Sequence, residues 1–244
     1  MCVSTIWSPR PADLQLPGID VHVWRAFLDS EHAGRVEAVL SGDERARAAR
    51  FVLRRDRDNF VAARGILRSI LSLYLQRPAS GIEFTYTAEG KPRLQPLDSD
   101  PSLCFNLSHS HGLAVYAFSC HGEVGIDAEA VQSSHGSEEV ADRFFSKEER
   151  AALRDLPPEM RDEGFFLCWT RKEAYIKAVG SGLGIPLDSF HVSLTPGKPE
   201  ELASSDSDRW MMRSFKPAEG FVGAVVAEGK QWKLRFLDWA SVTE

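Results

Sequence analysis

The sequence predicts an α+β protein made of two similar halves related by pseudo-twofold symmetry. Helical and strand-like periodicities are mixed along the whole chain, and the same order of elements occurs twice. The spacing agrees as well, with 31 residues from Phe60 to Lys91 and 32 from Phe166 to Lys198. The halves divide near residues 120–123, as 1–121 and 122–244, and should leave between them a cleft of the kind ligands occupy.

In the first half, alternation over residues 19–24 reads as a strand, and helical spacing covers 35–40 and 43–75. Within the latter, Phe60, Ala63, Leu67, Ile70, Leu71 and Tyr74 share one face of an amphipathic helix. Residues 82–86 alternate, Gly90-Lys91-Pro92 marks a turn, and 103–107 and 113–119 are strand candidates. The second half repeats this order: a strand at 124–128, helices at 146–153 and 164–179, and a strand at 190–194. A turn at Gly197-Lys198-Pro199 and strands at 210–215 and 221–227 complete it.

Hydrophobic residues make up 43% and charged residues 26% of the 244, the balance of a folded chain and not of a disordered one. A net charge of −6 argues against nucleic-acid binding, which rests on many Lys/Arg–phosphate contacts. Residues 45–68 run the other way, with eight arginines against Asp56 and Asp58, so an anion-binding surface or a solvated basic helix face sits on an otherwise acidic protein. Cys2, Cys104, Cys120 and Cys168 form no C-x-x-C pair. The first ten residues lack an export signal, and no apolar run approaches the roughly 20 residues that cross a bilayer. A cytoplasmic protein without membrane attachment is expected.

Three segments could carry chemistry. In Val124-Gly125-Ile126-Asp127-Ala128-Glu129, the two acids lie two apart on a strand and project to one side, either into solvent or around a hard cation such as Mg²⁺. In Trp169-Thr170-Arg171-Lys172-Glu173-Ala174-Tyr175-Ile176-Lys177, Glu173 and Lys177 sit one turn apart on a helical face shared with Phe166 and Trp169. They form either a surface ion pair or an acid and base at a part-buried site. In Asn106-Leu107-Ser108-His109-Ser110-His111, Ser108 and His109 could bind an anion at a strand end. A metal pair at His109 and His111 lacks a third ligand, and a Ser-His nucleophile lacks the G-x-S-x-G elbow. No phosphate-binding G-x-x-x-x-G-K-[ST] loop or G-x-G-x-x-G turn occurs.

Taken together and in this order, these residues resemble the surfactin-type (Sfp-type) 4′-phosphopantetheinyl transferase family. The resemblance rests on G-I-D-x-E at Gly125–Glu129 and, 40 residues later, W-T-x-K-E-A-x-x-K at Trp169–Lys177. N-L-S-H-S at Asn106–Ser110, G-K-P at Gly90–Pro92, A-R-F at Ala49–Phe51 and F-F-S-x-x-E at Phe144–Glu149 add to it, so that it spans about residues 40–200.

The resemblance implies transfer of the phosphopantetheine arm of coenzyme A to a serine of an apo acyl or peptidyl carrier protein, releasing adenosine 3′,5′-bisphosphate. It implies Mg²⁺ held by Asp127, Glu129 and Glu173, with Glu173 as general base, Glu129 as second choice for that role, and Lys177 beside the pyrophosphate. Arg47, Ser108 and His109 would hold the 3′-phosphate, and Gly90, Lys91 and Pro92 the adenine nucleotide. The family often has basic residues where this chain has Glu44 and Asn59, so Arg45 and Arg57 are expected to substitute. Carrier docking is expected along 132–145, where Phe144 and Phe145 would be either anchors or core. A monomer is expected, since both halves lie in one chain. One rival reading is a catalytically inactive carrier-binding module of the same fold; another is a Mg²⁺-dependent nucleotide phosphotransferase or hydrolase that needs no carrier.

Overall fold

A computed structural model describes residues 5–11, 13–95, 102–133, 137–180 and 184–239. Cys2 and residues 134–136 of the expected docking stretch lie outside them. The fold is α+β, with elements β1 (Ser8–Pro9), β2 (Asp20–Phe27), α1 (Ser30–Val36), α2 (Gly42–Ala48), α3 (Arg54–Leu75), β3 (Phe84–Tyr86), β4 (Pro92–Leu94), β5 (Cys104–Ser110), β6 (Leu113–Ser119) and β7 (Val124–Ala130). There follow α4 (Ser137–Phe144), α5 (Lys147–Asp155), α6 (Pro158–Val179), β8 (His191–Val192), β9 (Leu202–Ala203), β10 (Trp210–Phe215), β11 (Phe221–Glu228) and β12 (Lys233–Asp238).

Two sheets form the centre: five strands in the order β1-β12-β2-β6-β5 and three in the order β10-β11-β7. They share a core in which Val21, Val23, Val115 and Ala117 of the first meet Val124, Ile126, Ala128 and Val225 of the second. Each sheet has a 22-residue helix on its other face. On α3, Val61, Ala62, Ile66, Leu67 and Ile70 pack against Trp24, Tyr116 and Phe118, and on α6, Cys168, Ala174, Tyr175 and Ile176 pack against Ala224 and Val226. Period-2 apolar residues buried on both faces therefore explain why β6 is buried along its whole length.

The structure differs from the sequence-based elements where capping overrides periodicity. The helical stretch 43–75 is two helices: a capping box of Ser41 and Glu44 starts α2, which ends at Ala49, and the extended backbone of Leu53 separates it from α3. The strand expected at 190–194 is only two residues long. The strand β12 escapes the two-halves reading: it pairs in parallel with β2, so a segment of the second half completes the first half's sheet.

Beneath the first sheet lies a polar core. His22 is fully buried, its Nδ1 2.8 Å from the Tyr74 hydroxyl, which also accepts from Trp24 Nε1 at 2.9 Å. Burial first, and then the charge of Arg235, lower the His22 pKa to about 4. Between the ordinary value of 6.5 and about 4 the unfolded chain therefore binds a proton that the folded protein refuses. This stabilisation is present above pH 6.5 and is lost as pH falls, a decline of about 3 kcal/mol. Replacing His22 by Gln should flatten that part of the profile in urea titrations at pH 7.5 and 4.5; an unchanged decline would assign it to other groups.

Candidate active site

The site lies where the sheets meet edge to edge. Edge strands β5 and β7 run side by side, and the Asn106 side-chain oxygen accepts from the Ile126 amide at 3.0 Å, which sets their register. Alternate β5 residues then reach alternate β7 residues: the Ser108 hydroxyl donates to Asp127 Oδ1 at 2.7 Å and the Ser110 hydroxyl to Glu129 Oε2 at 2.5 Å. A two-residue turn at His111 and Gly112, both with positive φ, connects β5 to β6 and holds Ser110 at its base.

The second wall is α6. It approaches β7 so closely that a Cβ on Gly125 would stand 2.1 Å from the Ala174 oxygen and 2.2 Å from the Ala178 nitrogen. This approach brings the last turns of α6 beside the β7 acids. Lys177 Nζ donates to Asp127 Oδ1 at 2.6 Å and to the Ser108 hydroxyl at 3.3 Å. Asp127 is 3% exposed, and its Oδ2 is buried without a hydrogen-bond partner among the described residues. Burial raises the pKa of Glu129, and the neighbouring Asp127 charge adds to the effect. Burial likewise raises Glu173, against Lys177 and with the charges of Asp127 and Glu129.

This donor set fits a hard divalent cation: three acids in mutual repulsion and one orphaned buried carboxylate oxygen. The fit is one of chemistry and not of finished geometry: among the described residues no three His, Cys, Asp or Glu side chains stand close enough together to hold a metal ion. The Lys177 ammonium is the positive charge in contact with Asp127.

The first half supplies the surroundings. Arg47 and His109 line one trough of about 940 Å³, and His109 feels the surrounding protein first and then the Lys177 and Arg47 charges, all of which lower its pKa. Arg47 also borders a second cavity of about 640 Å³ with Arg50, Phe60, Arg64 and Tyr86. Its guanidinium lies 5.3 Å from the centre of the Phe60 ring. Gly90 adopts φ +84 in the turn between β3 and β4, and Pro92 pairs with Tyr86 at the edge of that cavity.

Several expected contacts are engaged elsewhere. Lys91 Nζ donates to Glu123 at 3.0 Å and to the carbonyls of Val124 and Lys177 at 3.2 and 2.7 Å, so it clamps the β3–β4 hairpin to β7 and α6. Ser108 is spent on Asp127 and Lys177. Of the two expected substitutes, Arg45 donates to the Leu40 carbonyl, and Arg57 forms a part-exposed pair with Glu37 at 2.6 Å. Glu44 is itself a structural residue, 3% exposed and bound to Arg68 at 2.6 Å and Arg64 at 3.1 Å. Phe145 is core, 1% exposed and stacked on Phe165, while Phe144 packs edge-on against Trp169. The carboxylate of Glu149 is also core, in a fully buried pair with Lys172 at 2.8 Å.

Sequence reasoning missed Ser110 and Tyr86. Ser110 was accessible to the same period-2 argument that paired Asp127 with Glu129, whereas nothing local to Tyr86 marks it as a cavity wall. Gly125→Ala should destabilise the fold by about 1–3 kcal/mol by forcing β7 off α6. Turnover should fall further than the folded fraction does, as read by urea titration and activity on the same samples; a variant with normal activity would show that the close approach does not set the site.

Residues 123–226 match the family described as the 4′-phosphopantetheinyl transferase superfamily, and residues 24–121 match the 4′-phosphopantetheinyl transferase N-terminal family. The 4′-phosphopantetheinyl transferase HetI of Nostoc sp. is 39% identical over 232 residues, covering 94% of this chain and 97% of HetI. The 4′-phosphopantetheinyl transferase Sfp of Bacillus subtilis is 34% identical over 201 residues, covering 82% of this chain and 87% of Sfp.

Proposed function

The chain belongs to the 4′-phosphopantetheinyl transferase superfamily, and we propose that it works with Asp127, Glu129 and Glu173 around one Mg²⁺ ion. As a transferase of this family it moves the 4′-phosphopantetheine of coenzyme A onto a serine hydroxyl of an apo acyl or peptidyl carrier protein, and releases adenosine 3′,5′-bisphosphate. The observation that carries the site reading is the buried, unpartnered Oδ2 of Asp127 among two further acids and the Lys177 ammonium. Bound there, Mg²⁺ would neutralise pyrophosphate charge and make the attacked phosphorus more electrophilic.

Glu173 is the general base. Its burial makes the ionised carboxylate a better proton acceptor than an exposed one, and it takes the serine proton as the new O–P bond forms. The P–O bond of the pyrophosphate breaks in the same displacement, and its electron pair leaves with the adenosine bisphosphate. Glu129 is the less suitable base because it already accepts the Ser110 hydroxyl. Lys177, anchored on Asp127, offsets charge on the departing phosphate. Arg47 and His109 hold the 3′-phosphate, whose negative charge would raise the depressed His109 pKa on binding.

The adenine lies in the cavity of Phe60, Arg64 and Tyr86, with Gly90 and Pro92 at its rim; Lys91 and Ser108 act by holding that wall and Asp127 in place. Residues 1–121 thus carry the nucleotide contacts and 122–244 the acids, in a protein that acts as a cytoplasmic monomer. Among the described residues no helix is long and apolar enough to cross a membrane.

The test is intact-mass spectrometry of apo acyl and apo peptidyl carrier proteins incubated with enzyme, coenzyme A and Mg²⁺, with EDTA as control. A gain of one phosphopantetheine unit that EDTA prevents is expected; coenzyme A binding without any gain on either carrier would favour the inactive module. Asp127→Ala should lose on the order of 10²–10³-fold in kcat with the fold intact by circular dichroism. For Glu173→Gln, turnover should drop by on the order of 10²–10⁴-fold while calorimetry still detects coenzyme A binding. His109→Ala should raise the KM for coenzyme A more than that for 3′-dephospho-coenzyme A; equal increases would move His109 away from the 3′-phosphate.

A further inference from the structure

The link between α2 and α3 places three consecutive large apolar side chains in solvent, the only such run among the described residues. Val52 is 97% exposed, Leu53 60% and Phe51 38%. This exposure is built in. The amides of Arg50 and Phe51 donate to Arg47 and Ala48 at 3.1 and 3.3 Å, and those of Asp56 and Arg57 both donate to the Leu53 carbonyl at 3.1 Å. The Phe51 ring also packs 5.4 Å from that of Phe60. The segment is thus pinned at both ends, and its apolar side chains point outward with little further ordering to lose on association.

Arg54 and Arg55 follow directly, with side chains 87% and 84% exposed. Each meets an acid only loosely, Asp58 at 3.5 Å and Asp56 at 3.7 Å, and such surface pairs are worth little. An apolar knuckle beside two solvated arginines, on a chain of net charge −6, is a local departure in both hydropathy and sign. Its position gives it meaning. Phe51, Arg54 and Arg55 line one side of the 940 Å³ trough whose other side is His109, Ser110, His111 and Gly112. Ser110 in the wall of the trough donates to Glu129, so the trough ends one hydrogen bond from the acids.

We propose that residues 51–55 are the docking surface for the acceptor protein, and that the partner is an acidic helical surface carrying an apolar stripe next to its acceptor serine. Its acids meet Arg54 and Arg55, its stripe covers Val52 and Leu53, and its serine enters the trough toward Glu129 and Glu173. The proposal rests on the transferase reading above and moves docking away from Phe145, which is core of the second half, and from Phe144, which packs part-buried against that core. An anionic membrane would meet the same side chains, but it has no free serine hydroxyl to deliver along the trough.

Two double variants, Val52→Asp/Leu53→Asp and Arg54→Glu/Arg55→Glu, test it in steady-state transfer to an apo acyl carrier protein. Each should raise the KM for the carrier at least about tenfold with kcat unchanged; Val52→Asp/Leu53→Asp, whose side chains do not line the trough, should leave the KM for coenzyme A unchanged, and Arg54→Glu/Arg55→Glu should raise it far less than the KM for the carrier. Added NaCl should raise the carrier KM of the wild type and leave that of the arginine variant nearly flat. Lysines placed on the acidic helix of the carrier should restore part of the loss in the Arg54→Glu/Arg55→Glu enzyme. An unchanged carrier KM in both variants would overturn the assignment while leaving the transferase reading intact. So would unchanged carrier kinetics together with lost binding to phosphatidylcholine/phosphatidylserine vesicles, which would make the knuckle a membrane contact. A wild type that modifies no carrier would overturn the transferase reading and this one with it.

Discussion

The geometry of the site depends on one close approach, that of β7 to α6 at Gly125. A backbone without a Cβ lets the strand lie against the Ala174 carbonyl and the Ala178 amide, a distance no other residue allows. Asp127 and Glu129 are on that strand and Glu173 and Lys177 on that helix, so the separation of acids from ammonium is set by this contact and not by the side chains themselves. The small residues Ala174 and Ala178 on the facing surface of α6 complete the fit, both of them fully buried.

That contact creates an electrostatic problem, which the fold resolves only in part. Three acids converge where water is scarce: burial and the Asp127 charge make Glu129 costlier to ionise, and burial with the charges of Asp127 and Glu129 does the same to Glu173. Lys177 and Ser108 compensate one oxygen of Asp127, and Ser110 compensates one of Glu129. The other Asp127 oxygen has no hydrogen-bond partner among the described residues, and a buried carboxylate oxygen without one costs free energy. Buried Glu149 shows the contrast: the backbone amides of Ser146 and Val192 and the Lys172 ammonium satisfy both its oxygens. One buried acid is finished and serves structure, whereas the other is unfinished and is suited to a cation brought in from solution.

What the sequence made legible is whatever local periodicity controls. The alternation of Val124-Gly125-Ile126-Asp127-Ala128-Glu129 and the turn-apart spacing of Glu173 and Lys177 were enough to place four side chains on two facing surfaces, and the long helices follow from their apolar stripes. Long-range partner choice was not legible. Nothing near Lys91 indicates that its ammonium ends on carbonyls of two other elements, or that Glu44 turns inward to Arg64 and Arg68 while Arg45 and Arg57 turn to Leu40 and Glu37. Phe145 could not be separated from a docking anchor because burial is a tertiary property. The exposure of Val52 escaped for the opposite reason, since an apolar residue inside a helical pattern reads as core until the structure ends one helix before it, at Ala49, and starts the next after it, at Arg54.

The two halves are consequently not independent parts with a ligand caught between them. Asn106, Ser108 and Ser110 from the first half fix the register of β7 and orient the acids of the second, and Lys91 ties the β3–β4 hairpin to the carbonyl of Lys177. In the other direction β12 from the second half pairs with β2 in the first. Each half therefore supplies hydrogen bonds that the other needs in order to fold as it does, and β12 places the exchange on the far side of the sheet from the β5–β7 seam. Anchoring at two separated edges opposes hinge opening and favours a rigid seam. A site that works by positioning charge needs that rigidity, because a shift of about 1 Å in one carboxylate already costs a large part of its effect.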